Sequence, residues 1–85
     1  MKEVVMIVGV DAGLHARPAS ILVKTAVGFK STIKIKKDNK MADAKRLLSV
    51  LTLGAAKGES VIVAIDGEDE EEAMKAIKSV IENND

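Results

Sequence analysis

Thr32-Ile33-Lys34-Ile35-Lys36, running on through Lys37-Asp38-Asn39-Lys40-Met41-Ala42, is the stretch on which the fold turns. Ile33 and Ile35 alternate with Lys34 and Lys36, so one face of this strand meets a core and the other meets water. Asp38-Asn39 suits a two-residue hairpin turn, which returns the chain as a short antiparallel strand near Lys40 to Ala42. A strand wetted on one side belongs to a sheet covered on one side only.

Upstream, Pro18 fits only the first turn of a helix, where its missing N–H is harmless. Ala19, Leu22, Val23 and Ala26 follow at helical spacing, and Gly28 is a natural stop. Val4 to Val8 is a continuous apolar run, as expected of a buried strand, and Gly9 to Gly13 is loop. Downstream, Lys45 to Leu53 reads as a short helix ended by Gly54. Lys57-Gly58-Glu59 is a turn, and Val61 to Ile65 is another buried strand. Asp69 with Glu72 fits a capping box, and Glu70, Glu71 and Glu72 suit the positive end of a helix whose apolar stripe is Ala73, Ile77, Val80 and Ile81. The acidic stretch from Glu68 to Glu72 is thereby a helix start.

The element order is β-α-β-β-α-β-α. This predicts an α+β fold, an open-faced β-sandwich with a four-stranded antiparallel sheet and three helices on one face. Residues 1–85 form one domain, with no repeat, linker or low-complexity tract.

Composition narrows the function. Thirteen basic residues balance thirteen acidic ones, so net charge gives no argument for nucleic acid or membrane. Phe29 is the only aromatic residue, too few for base-stacking platforms. The chain has no Cys, which excludes disulfide and thiolate chemistry, and one His, which makes a metal site improbable. Its apolar start is too short and broken for a signal peptide or a spanning helix, so a soluble cytoplasmic protein is expected. No Gly-rich stretch ends in Gly-Lys-Ser/Thr, and Asp43, Asp66 and Asp69 read as turn and cap residues. The Met residues read as core filler.

The single histidine lies in Gly13-Leu14-His15-Ala16-Arg17-Pro18-Ala19, between a strand and a helix. Pro18 sets the helix start beside His15. Unpaired N–H groups and the positive helix end there make an anion site. Arg17 adds a planar donor fork suited to phosphate oxygens. A helix N-terminus disfavours the imidazolium, which keeps a nucleophilic nitrogen available. On these residues alone, His15 serves equally well as a nucleophile in an anion cradle or as a plain cap or loop residue.

The seven-residue segment resembles the active-site signature of the histidine-containing phosphocarrier proteins, HPr, of the phosphoenolpyruvate-dependent sugar phosphotransferase system. Length, element order and the second-helix region Lys45 through Lys57, with Gly54 and Gly58, extend the resemblance over the whole chain. It implies that enzyme I phosphorylates Nδ1 of His15 and that His15 passes the group to enzyme IIA domains. It also implies that the N–H groups of Ala16 and Arg17, with the Arg17 side chain, bind the phosphoryl oxygens. Partners would dock on Ser20, Lys24, Arg46, Leu47, Leu48 and Leu51. The second helix carries more Leu than one buried stripe needs, which agrees with such a patch. The implied protein is a phosphotransfer intermediate rather than a free-standing enzyme. It would be a monomer with no cofactor, metal, nucleic acid or membrane insertion.

Two positions depart from the family pattern. Arg46 stands where many members carry a Ser that a dedicated kinase phosphorylates, so that regulation is expected to be absent, and Ser49 is not assumed to replace it. Ala12 stands where relatives often carry Ser, Thr or Asn. Two alternatives keep the fold and change the role: a nitrogen-related or dihydroxyacetone-kinase-linked phosphorelay, and a docking module that regulates a partner.

Overall fold

The computed structural model describes residues 1–9, 14 and 16–82. The elements run β1 (Lys2–Ile7), α1 (Ala16–Val27), β2 (Thr32–Lys37), β3 (Lys40–Asp43), α2 (Leu47–Leu53), β4 (Ser60–Asp66) and α3 (Glu70–Glu82). The strands form one antiparallel sheet in the order β1-β4-β2-β3. This is the expected β-α-β-β-α-β-α arrangement. The β2–β3 hairpin pairs Lys37 with Lys40 across Asp38-Asn39, and Asp38 has a φ of 54°.

The core lies between the sheet and the helices. Ile33, Ile35, Val63 and Ile65 from the sheet meet Ala19, Leu22 and Ala26 of α1, Val50 and Leu53 of α2, and Ala73, Ile77 and Ile81 of α3, all fully buried or nearly so. Val23 and Val80 pack against this core while only partly buried. Helices α1 and α3 lie side by side, and α2 crosses β3 and β2.

Four expectations are corrected. The runs Val4–Val8 and Val61–Ile65 are not buried on both faces: Val5 is 63% exposed, Ile7 50% and Ile62 39%. Three helices cover one face, so alternate residues of even an apolar strand meet water. Helix α2 starts at Leu47 rather than Lys45, because the Asp43 carboxylate accepts the Lys45 N–H at 3.0 Å in a local turn and Arg46 is extended (φ −125°, ψ 118°). Only Met6 is fully buried; Met74 packs on the core, and Met1 and Met41 are exposed.

The capping box also differs. At α3 it is Glu70, not Glu72, that reaches back, accepting the Gly67 N–H at 3.2 Å. The Asp69 carboxylate instead crosses to the α1–β2 connection. It accepts the Lys30 N–H at 2.8 Å, the Ser31 N–H at 3.0 Å and the Ser31 hydroxyl. Ser31 is fully buried. Without this carboxylate its donors would lie unpaired in the interior, which is the costly case for hydrogen bonds.

These bonds, the Ser31 hydroxyl foremost, hold the Asp69 carboxyl below its ordinary value of 3.8. A lowered folded-state pKa stabilises the protein above the unfolded value, and the contribution is lost as pH falls through the folded one. Asp69→Ala is therefore expected to lower the urea midpoint at pH 7 with little change of slope. The gap between wild type and variant should hold down to about pH 5 and close at lower pH. A gap that persists unchanged at pH 2 would refute the assignment.

Candidate functional site

Helix α1 begins at Ala16, the residue that follows His15 in the sequence. His15 itself lies outside the described residues, as do Ala12 and Gly13. Pro18 is the third helical residue, where no intrahelical N–H bond is required. The first-turn N–H groups of Ala16 and Arg17 have no intrahelical acceptor, and the first turn holds no acidic residue. The α1 N-terminus thus presents donors and partial positive charge, with Arg17 exposed beside them.

On the near side of His15, Leu14 is fully buried and donates its N–H to the Ala55 carbonyl at 2.8 Å. Ala55 follows Gly54, the left-handed C-cap of α2 (φ 65°, ψ 29°). The end of α2 is thereby joined to the start of α1. No local sequence pattern marks Ala55 for this role, because its carbonyl meets Leu14 only through the tertiary fold. An apolar Leu14 between a glycine-containing loop and a helix was the one local hint that the segment is anchored.

Of the expected docking residues, Ser20 and Lys24 of α1 and Leu47 of α2 line one shallow groove of about 520 Å³, together with Arg17, Ile21 and Val23 of α1. Leu48 lies outside that groove and is 77% exposed. Leu51 is half-buried and packs on the core, so it presents only part of its side chain. Arg46 is exposed at the α2 N-cap, and its side chain makes no capping bond. Ser49, three residues on, uses its hydroxyl to accept the Asp43 N–H at 2.8 Å. Among the described residues no group of three or more His, Cys, Asp or Glu could hold a metal ion, and no helix is long and apolar enough to cross a membrane.

Comparison with known proteins places this arrangement. Residues 2–83 match the family described as PTS HPr component phosphorylation site. The phosphocarrier protein HPr of Mycoplasma genitalium is 36% identical over 85 residues, which covers 99% of this chain and 97% of that one. The crystal structure of HPr-C-His from Thermoanaerobacter tengcongensis superposes with a TM-score of 0.91 at 45% identity, over 96% of this chain and 92% of that one. An HPr dimer from the same organism matches with a TM-score of 0.75 at 45% identity, over 96% and 94%. Agreement of this extent, in sequence and in fold, shows that the chain belongs to the HPr phosphocarrier family of the phosphotransferase system.

Proposed function

We propose that the protein takes a phosphoryl group from phospho-enzyme I onto the imidazole of His15 and passes it to enzyme IIA domains. One observation carries the reading: the only histidine of the chain immediately precedes a helix whose first turn offers N–H groups without intrahelical acceptors and the exposed Arg17. A neutral ring nitrogen of His15 attacks phosphorus. The new N–P bond forms as the bond from phosphorus to the donor group breaks, and that electron pair stays with the donor. The same exchange, run toward the acceptor, empties the carrier.

The energies suit transfer rather than storage. A helix end contributes about 0.3–1 kcal/mol to an exposed anion. A charge-assisted hydrogen bond contributes about 1.5–3 kcal/mol. These terms orient a phosphoryl group without trapping it. The carrier works as a cytoplasmic monomer in this reading.

The test is intact mass after incubation with phosphoenolpyruvate, magnesium and enzyme I. One acid-labile phosphoryl group per chain is expected. A folded protein that no enzyme I labels would overturn the proposal, and labelling only by the enzyme I of a nitrogen-related relay would reassign the pathway.

Docking is assigned to Ser20, Lys24, Arg46, Leu47, Leu48 and the exposed part of Leu51. Leu48 is too exposed to matter for folding, and such substitutions usually change stability by less than about 0.5 kcal/mol. Leu48→Ala is expected to raise the KM for phospho-enzyme I about tenfold, the loss of one central interface contact. An unchanged KM would remove Leu48 from the interface.

A further inference from the structure

The two described flanks of the segment leading to His15 are held by one loop, residues 54–59 between α2 and β4. On one flank, Val8 donates its N–H to the Glu59 carbonyl at 2.9 Å and accepts the Gly58 N–H at 2.8 Å. On the other, Leu14 donates to the Ala55 carbonyl at 2.8 Å. Glu59 closes the loop on itself. Its N–H donates to the Ala56 carbonyl at 3.0 Å, and its carboxylate accepts the Ala56 N–H at 2.7 Å.

The Lys37 side chain at the end of β2 fastens this loop to the sheet. Its Nζ lies 3.2 Å from the Gly54 carbonyl oxygen and 3.1 Å from Glu59 Oε1. The Gly54 contact is apt, because the last carbonyls of a helix lack partners and the dipole there favours a cation. The Lys37 side chain is only 17% exposed, so this is not a freely solvated surface pair. Glu59 thus holds Ala56 and Lys37 holds Gly54, the two neighbours of the Ala55 whose carbonyl accepts the Leu14 N–H, and Lys37 ties Glu59 itself to the sheet.

We propose that Lys37 and Glu59 are positioning residues for the phosphorylation site, clamping loop 54–59 so that the Ala55 carbonyl fixes Leu14 and, through it, the adjoining His15. Neither residue touches the phosphoryl group. The proposal rests on His15 being the acceptor, as argued above. Transfer between two proteins demands alignment of the attacking nitrogen with phosphorus, and a misplacement of about 1 Å costs up to about 100-fold in rate.

The experiment compares Lys37→Met, Lys37→Arg and Glu59→Gln with wild type by two readouts. The first is amide hydrogen exchange at Leu14 and Gly58, followed by NMR. The second is kcat and KM for phosphoryl acceptance from phospho-enzyme I, measured well below the unfolding temperature. For Lys37→Met, Leu14 exchange is expected to rise about tenfold while the amides at the centre of β4 stay protected. The kcat should fall about tenfold with KM held within about twofold, since the groove between α1 and α2 is untouched. Lys37→Arg should restore both. Glu59→Gln keeps an acceptor oxygen for Ala56 and loses the charge, so its effect should be smaller and in the same direction.

Unchanged Leu14 exchange in Lys37→Met would overturn the clamp. Raised exchange with an unchanged kcat would overturn its link to His15, as would a kcat loss that arginine does not reverse. If wild type accepts no phosphate, the carrier reading fails, and with it the link to catalysis, whereas Leu14 exchange still decides whether the clamp exists.

Discussion

Replacing His15 by alanine is expected to abolish phosphate acceptance from phospho-enzyme I, not merely slow it. No second group in the chain can stand in. There is no other histidine and no cysteine, and serine and threonine hydroxyls are weak nucleophiles at their ordinary pKa. The proposed anion cradle would survive in the variant, because its donors are the first-turn N–H groups of α1 and Arg17. A cradle without a nucleophile binds an anion but forms no bond to phosphorus. Intact mass after exposure to phosphoenolpyruvate, magnesium and enzyme I should show one added group on wild type and none on His15→Ala. Both proteins should give the same amide spectrum away from the substituted position. Acid treatment adds a second criterion, since a phosphohistidine is lost and a serine ester persists. Acid-stable label on the variant would move the acceptor to a hydroxyl and refute the assignment of His15. Label absent from the variant, with binding to enzyme I retained, would separate transfer from docking and exclude a pure docking module.

The parts of the fold that could be read from sequence are those set by neighbours. Thr32 to Lys37 alternates because its environment alternates residue by residue, and the apolar stripe of α3 repeats because a helix returns to the core every three to four residues. The signal for the candidate site is local too: Pro18 marks a helix start, and α1 does begin at Ala16, directly after His15 in the sequence. What escaped was set by distant chain. Val5, Ile7 and Ile62 look like two-sided core residues, but the sheet is open on the face they share. Asp69 looks like the cap of its own helix, and its carboxylate is spent on Lys30 and Ser31. Lys37 and Glu59 carry no mutual signal at all; only the pairing of β2 with β4 brings the end of one strand to the loop before the other. The surplus of leucine in α2 did announce exposed residues, but not which ones: Leu48 is at the surface, while Leu51 sits partly in the core.

Gly67→Ala is expected to be strongly destabilising, at about 2–6 kcal/mol, a large share of the 5–15 kcal/mol typical of a domain. Two costs add. The residue has a φ of 157°, a conformation that side chains rarely adopt, and forcing it costs about 1–3 kcal/mol. A Cβ there would also lie 2.6 Å from Ser31 Cα and 2.8 Å from Ser31 Cβ, and overpacking of this kind costs about 1–3 kcal/mol. Gly58→Ala separates the two, because Gly58 has a φ of 91° and no atom within 4 Å of the position its Cβ would take. It should show the conformational cost alone, about 1–3 kcal/mol. Urea midpoints at constant slope provide the comparison. The clash at Gly67 is severe because Ser31 cannot retreat: it is fully buried, and its N–H and hydroxyl are both bonded to the Asp69 carboxylate. Cutting that latch should let Ser31 shift and relieve part of the overlap. The double variant Gly67→Ala, Asp69→Ala is therefore expected to be less destabilised than the sum of its two single variants. Strict additivity would show that the cost at Gly67 comes from its own backbone and that the Asp69 latch does not hold Ser31 in place.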